Sequence, residues 1–210
     1  MTLILNMNRE LSTSTDSILI RGPGETLVVK KLKIRSVEFL WDLTNPLPNV
    51  RIMDKAAVRA AGPNDIVSLR RIVVEAYLPD WSWWVGQIGG RERARADLMS
   101  YLSEFIRSRR KRIFVARENG EITGFCGAAK YNKRTGTIGY GVAVLPAYRG
   151  RGIGSMLLFT ALAWLKKSGV RYVTLEEETF GFENKDTSAV RLYRRFGGQV
   201  IRDQPVPIHG

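Results

Sequence analysis

The stretch Ala147–Met156, AYRGRGIGSM, constrains this 210-residue chain more than any other. Glycines stand at positions 150, 152 and 154, just ahead of the largely apolar run MLLFTALAWL. Glycines at that density cost backbone entropy, so a bare main chain must serve a purpose here. The residues before the turn, VAV, read as a strand, and those after it read as a helix. Free N–H groups at a helix start, reinforced by the helix dipole, favour an anion. Arg149 and Arg151 add positive charge. A phosphate or pyrophosphate site is therefore the physical reading of Arg149, Gly150, Arg151, Gly152, Ile153, Gly154 and Ser155.

Two familiar phosphate loops do not fit. A P-loop needs Lys followed by Ser or Thr after its last glycine, but Ser155 and Met156 follow Gly154. A dinucleotide fingerprint needs glycine at its sixth position, directly after a strand. Ser155 holds that position, and LPAYR separates the glycines from the strand. Glu176 does lie about twenty residues on, where the ribose-binding acid of that fingerprint would fall.

The flanking pattern gives the fold class. KAAVRAA (55–61) reads as a strand, with Asn64 or Asp65 capping a helix over 66–77. A second helix is predicted over 91–111, with Leu98, Leu102 and Ile106 four apart. Strands at 112–119 and 122–131 meet at Asn119-Gly120, a hairpin turn signal. TIGYGVAV (137–144) extends this meander as one strand. After the glycine-rich turn comes a helix stopped by Gly169, a strand over 170–178, a helix over 187–198 and a strand over 199–203. The order β-α-α-β-β-β-α-β-α-β predicts an α/β fold with a mixed, partly antiparallel sheet flanked by helices. Residues 1–52 look different. STSTDS and RGPGE are turn material, TLVVKKLKIRSVEFLW is strand-like, and TNPLPN is a Pro-broken linker. They read as an N-terminal extension or small β appendage, with the main domain over 53–210 beginning at Met53.

Composition narrows the partners. The formal charge of +13 points to an anion, whether phosphate, coenzyme A, nucleic acid or an acidic protein surface. The densest basic run, IRSRRKR (106–112), reads either as a solvated helix end or as a phosphate-contacting patch. No apolar run is long enough to span a membrane. No signal peptide is read, and the single cysteine, Cys126, reads as a buried strand residue. A cytoplasmic setting is expected, and no metal.

VAVLPAYRGRGIGSMLL resembles the acyl-CoA-binding core of the GCN5-related N-acetyltransferase (GNAT) superfamily. Arg149, Gly152 and Gly154 match its Arg/Gln-x-x-Gly-x-Gly/Ala motif. DTSAVRLYRRFGG resembles the helix of that superfamily written Asn-x-x-Ala-x-x-Leu-Tyr, followed by Gly-Phe. Ala189, Leu192, Tyr193 and Gly197 match; Asp186 and Gly198 depart from it. The resemblance starts at Met53. It implies that the backbone of Val142, Ala143 and Val144 pairs with the pantetheine arm of acetyl-CoA. It further implies that Arg149 to Ser155 present N–H groups to its pyrophosphate, and that Asp186 lies at the cofactor edge or caps its helix. Tyr193 then protonates the leaving thiolate, and Glu176 serves as base through water. The aromatic loop would border the acceptor, through Tyr77, Asp80, Trp81, Trp83 and Trp84, or else its tryptophans cover the core. The implied activity is acetyl transfer from acetyl-CoA to a primary amine: a protein N-terminus, a lysine or a small amine. A basic nucleic-acid-binding module and a non-catalytic acyl-CoA sensor stay open beside it.

Overall fold

The longest ladder joins two strands from opposite ends of the sequence. β4 (Lys33–Asp42) runs antiparallel to β10 (Tyr172–Gly181) along its whole length, from Lys33 opposite Gly181 to Asp42 opposite Tyr172. The computed structural model describes residues 10–13, 17–22, 25–30, 33–49, 56–77, 90–181 and 187–205. Within them, β5 (Ala56–Ala60), β6 (Lys111–Glu118), β7 (Glu121–Lys130), β8 (Thr135–Thr137), β9 (Val142–Val144) and β11 (Gln199–Pro205) complete the sheet. Its order is β11-β4-β10-β8-β7-β6-β5, with β9 also pairing to β7. The ladders are antiparallel except β8–β10, so the expected mixed sheet is the one observed. β1 (Glu10–Thr13), β2 (Ser17–Gly22) and β3 (Glu25–Lys30) form a separate antiparallel sheet.

β4 corrects the expected division at residue 52. It lies inside the main sheet, and β11 joins that sheet through β4. Its alternation explains why. Val37, Phe39 and Trp41 are at most 2% exposed and pack under the helices, while Ser36 and Glu38 face the other side.

Each face of the sheet has its own core. α1 (Ile66–Ile72) and α2 (Arg91–Arg107) cover one face through Leu69, Ile72, Leu98, Leu102 and Phe105. α3 (Ile153–Lys167) and α4 (Ser188–Arg195) cover the other, where Leu157, Leu158, Leu162, Leu165 and Tyr193 meet Val173 and Leu175. α3 starts and stops where the sequence predicts, with Gly169 at φ 83° closing it. Three expectations change. α1 passes into a π-helical turn, Val73–Tyr77. α2 ends at Arg107, so the basic run 106–112 starts in the last turn of that helix and crosses a short loop into β6, and only its first part is a helix end. TIGYGVAV breaks into β8 and β9, because Gly141 at φ 55° turns the chain between them. Cys126 is fully buried as expected, and burial pushes its thiol pKa far up.

Candidate active site

That break opens a gap in the sheet. Thr137 is the last residue of β8 paired with β10, and Ile138 donates one more bond to Thr174 O at 3.0 Å. Beyond this point β10 continues along β4, whereas β9 follows β7. In β9, Leu145 N donates toward β7, to Thr123 O. Alternation along an antiparallel edge therefore turns the main-chain groups of Val142 and Val144 into the gap. Ala143 does not share that orientation: its carbonyl lies against Gly124 of β7, where a Cβ would stand 2.7 Å away.

Tyr193 reaches the same gap from α4. The helix is capped by the Thr187 side chain, which accepts from Val190 N. Tyr193 is wholly buried, edge-on to Phe39 at 5.4 Å and Trp41 at 6.0 Å between ring centres. Its hydroxyl accepts from Val142 N at 3.2 Å and donates to Glu177 Oε2 at 3.4 Å. A Cβ on Gly141 would meet that hydroxyl at 2.7 Å. Sequence reasoning missed Gly141 and Glu177. Glu177 was visible only as the residue on the opposite strand face to Glu176.

Glu176 projects from the other face, where Ser36 of β4 donates to its Oε1 at 2.6 Å. Glu38 is its cross-strand partner, and Glu178 shares the face. Tyr140 lies at the β8–β9 break on this side, packed edge-on to Phe105 of α2 at 5.0 Å. Burial, first, and the charge of Glu176, second, hold the Glu178 carboxyl above its ordinary range. A group that binds its proton more tightly when folded stabilises the fold in acid and loses that contribution as pH rises through the raised pKa. Glu178→Gln is therefore expected to melt above the parent at pH 7, with the difference shrinking toward pH 4. Thermal melts at both pH values check this, and an equal difference at both would remove the linkage.

The glycine-rich turn joins β9 to α3. Gly150 and Gly152 have φ of 79° and 83°, left-handed values that side chains disfavour. The N–H groups of Gly150 to Ser155 donate to no acceptor among the described residues; the first bond of the helix is Met156 N to Gly152 O. The two arginines act as braces. Arg149 Nε donates to Val144 O at 3.0 Å and its NH2 to Ala76 O in the π-helical turn at 3.4 Å. Arg151 lies over the Tyr148 ring and pairs with Glu118 at 3.3 Å. Glu118 is only 5% exposed, and its second oxygen lacks a partner among the described residues. The Ser155 hydroxyl accepts from Arg195 of α4 at 2.6 Å. Main-chain donors left open beside an open strand edge fit a ligand with a diphosphate and an amide-bearing arm.

The structure thus brings Val142, Val144, Arg149 to Ser155 and Tyr193 to one side of the sheet, with Glu176 across it. Asp186, Asp80, Trp81, Trp83, Trp84 and the Tyr77 side chain lie outside the described residues.

Solved proteins share this architecture. A GCN5-related N-acetyltransferase from Sphaerobacter thermophilus aligns with a TM-score of 0.61 at 24% identity, over 82% of this chain and 50% of its own. AAC(6')-Iy, solved with the bisubstrate analogue CoA-S-monomethyl-acetylneamine, aligns with a TM-score of 0.50 at 17% identity, over 68% of this chain and 89% of its own. The chain belongs to the acetyltransferase (GNAT) family, whose model matches residues 71–198. An L-methionine sulfoximine/L-methionine sulfone acetyltransferase of Salmonella typhimurium is 26% identical over 96 residues, which are 44% of this chain and 53% of the relative. The chain thus spans about half the length of that curated relative. Among the described residues no helix is long and apolar enough to cross a membrane.

Proposed function

We propose that the chain is an acetyl-CoA-dependent N-acyltransferase that moves the acetyl group directly to a primary amine. One observation carries this reading: the Tyr193 hydroxyl, 3.2 Å from Val142 N, stands in the gap where β9 leaves β10. In this assignment the pyrophosphate takes the N–H groups of Gly150 to Ser155. The arm runs along the edge of β9 that Val142 and Val144 turn into the gap, beside the bonds that Val142 N makes to Tyr193 and Val144 O accepts from Arg149, and Ala143 contributes through its position in the strand. The amine nitrogen forms a bond to the acetyl carbonyl carbon as the carbon–sulfur bond breaks. The thiolate takes the Tyr193 proton, and the amine gives up its own through water to Glu176. Backbone N–H groups of β9 that face the gap are the donors assigned to the developing oxyanion.

A small cationic amine is the acceptor class that Glu176 and Glu178 favour, because they place negative charge on the face opposite Tyr193, where Glu38 is already paired with Arg202 at 3.7 Å. The names of the relatives, an L-methionine sulfoximine/L-methionine sulfone acetyltransferase and a protein bound to an acetylneamine bisubstrate analogue, support a small-molecule amine as acceptor without choosing its charge.

Acetyl-CoA at a hundredfold excess over its Kd is expected to raise Tm by about 5–10 °C, from the linkage of about 2.7 kcal/mol and the slope for a chain of this size. A melt unchanged at millimolar acetyl-CoA would overturn the reading. Transfer to a panel of small amines, followed by thiol release, separates the enzyme from an acyl-CoA sensor.

A further inference from the structure

At the far end of α3 from the glycine-rich turn lies a second concavity. Helix rise puts the two about 20 Å apart. It encloses about 550 Å³ and is built from the α2–β6 loop, the start of β6, the β7–β8 hairpin and the end of α3. Five cations line it, Arg109, Arg110, Arg112, Lys130 and Lys133, and among the described residues no carboxylate does. Like charges gathered in one cavity repel each other unless an anion joins them.

The five divide into two groups. Arg112 donates to Ser108 O at 2.9 Å and lies over the Trp164 ring at 5.8 Å, and Lys130 donates to Ser168 O at 2.5 Å. These two are fixed in the wall. Arg109, Arg110 and Lys133 make no side-chain hydrogen bond or ion pair with the described residues, so they are free to meet a ligand. The rim adds an aromatic group. Tyr131 is 60% exposed. Its hairpin is held by Asn132 Oδ1, which accepts from Arg134 N at 2.7 Å and Thr135 N at 2.9 Å.

We infer that this cavity binds single-stranded nucleic acid, with the phosphates on Arg109, Arg110 and Lys133 and a base stacked on Tyr131. Charge alone would suit any polyanion. The exposed ring beside the guanidinium groups favours nucleotides, because every base offers a face to stack. The volume lies within the range of small-ligand sites, about 300–1,000 Å³, which suits one or two nucleotides and not a duplex. The site is remote from the gap between β9 and β10, so it would hold the chain on a nucleic acid while that gap stays open.

The test is fluorescence anisotropy with a labelled oligouridylate across a salt series. Arg109→Ala/Arg110→Ala/Lys133→Ala is expected to weaken binding at least tenfold. It should also flatten the log–log salt dependence by about 2, from about 0.7 per phosphate contact. Tyr131→Ala is expected to weaken binding about tenfold with the salt slope unchanged. Arg70→Ala/Arg91→Ala/Arg93→Ala removes the same charge from exposed positions on α1 and α2 and is expected to bind as the parent does. Equal losses in the two triple variants would show diffuse attraction and overturn the assignment. Inorganic polyphosphate binding as tightly as oligouridylate, with no effect of Tyr131→Ala, would overturn it in favour of a pure charge site. Tighter binding of polyglutamate than of oligouridylate would overturn it in favour of an acidic protein. In every variant the acetyl-CoA melting shift should persist, which separates this site from the transfer reaction.

Discussion

A chain that starts at Met53 is expected to show no cooperative melt. It lacks β4, and with β4 it lacks Val37, Phe39 and Trp41, each at most 2% exposed. The loss spreads in two directions. β11 has β4 as its neighbour in the sheet, so its ladder goes too, and β10 gains a bare edge beside it. α4 loses the surface it sits on: Trp41 Nε1 donates to Phe196 O at 3.0 Å, and a Cβ on Gly198 would stand 2.7 Å from the Trp41 ring. Large-to-small changes at single buried aromatics cost about 3–5 kcal/mol. Removing Phe39 and Trp41 together costs about 6–10 kcal/mol, a loss of the same size as the whole stability of an ordinary domain, about 5–15 kcal/mol. Phe39→Ala in the full chain should show the single-residue cost as a lowered Tm. Removal of residues 1–32 is expected to leave the melt cooperative, because β1–β3 form no ladder with the larger sheet. Circular dichroism melts of the two truncations decide the matter. A cooperative transition in the Met53 chain, close to that of the parent, would show that β4 is dispensable.

That strand also marks where sequence reasoning stops. Its alternation was legible, since Val37, Phe39 and Trp41 repeat with period two. Its destination was not, because no local pattern says which of two distant edges a strand will join. The family match, residues 71–198, begins after β4 and ends before β11, so the resemblance did not supply the answer either. The glycine-rich turn was legible because its chemistry is local. The donors, the left-handed glycines and the following helix all lie within ten residues.

The gap beside the turn was half legible. TIGYGVAV has the composition of one strand, and its break depends on Gly141 and on the divergence of β9 from β10, which is tertiary. The arginines were placed by charge as phosphate ligands, and both also have protein partners. Arg149 ties the turn to β9 and to the π-helical turn, while Arg151 answers the buried Glu118. Side chains occupied in this way hold the loop so that its N–H groups stay exposed, a division of labour that spacing alone does not reveal.

Tyr193→Phe is expected to lower kcat by about 100-fold or more, the scale on which a positioned acid works, while acetyl-CoA affinity changes little. The substitution isolates the hydroxyl. A phenyl ring keeps the edge-on contacts with Phe39 and Trp41, so the core should survive. What is lost is the acceptor for Val142 N and the donor to Glu177. An N–H left without its acceptor costs about 1–3 kcal/mol when buried, so Tm should drop by about 2–12 °C. Gly141→Ala approaches the same atom from the other side. Its Cβ would stand 2.7 Å from the hydroxyl, at a φ of 55° that alanine disfavours, so the tyrosine must move. The two changes should not add: the double variant is expected to turn over no more slowly than Tyr193→Phe, because both remove one placed hydroxyl. Steady-state kinetics with direct measurement of acetyl-CoA affinity separate the effects. Unchanged kcat in Tyr193→Phe would move the acid role elsewhere, and additive losses in the double variant would show that Gly141 shapes the gap independently of the hydroxyl.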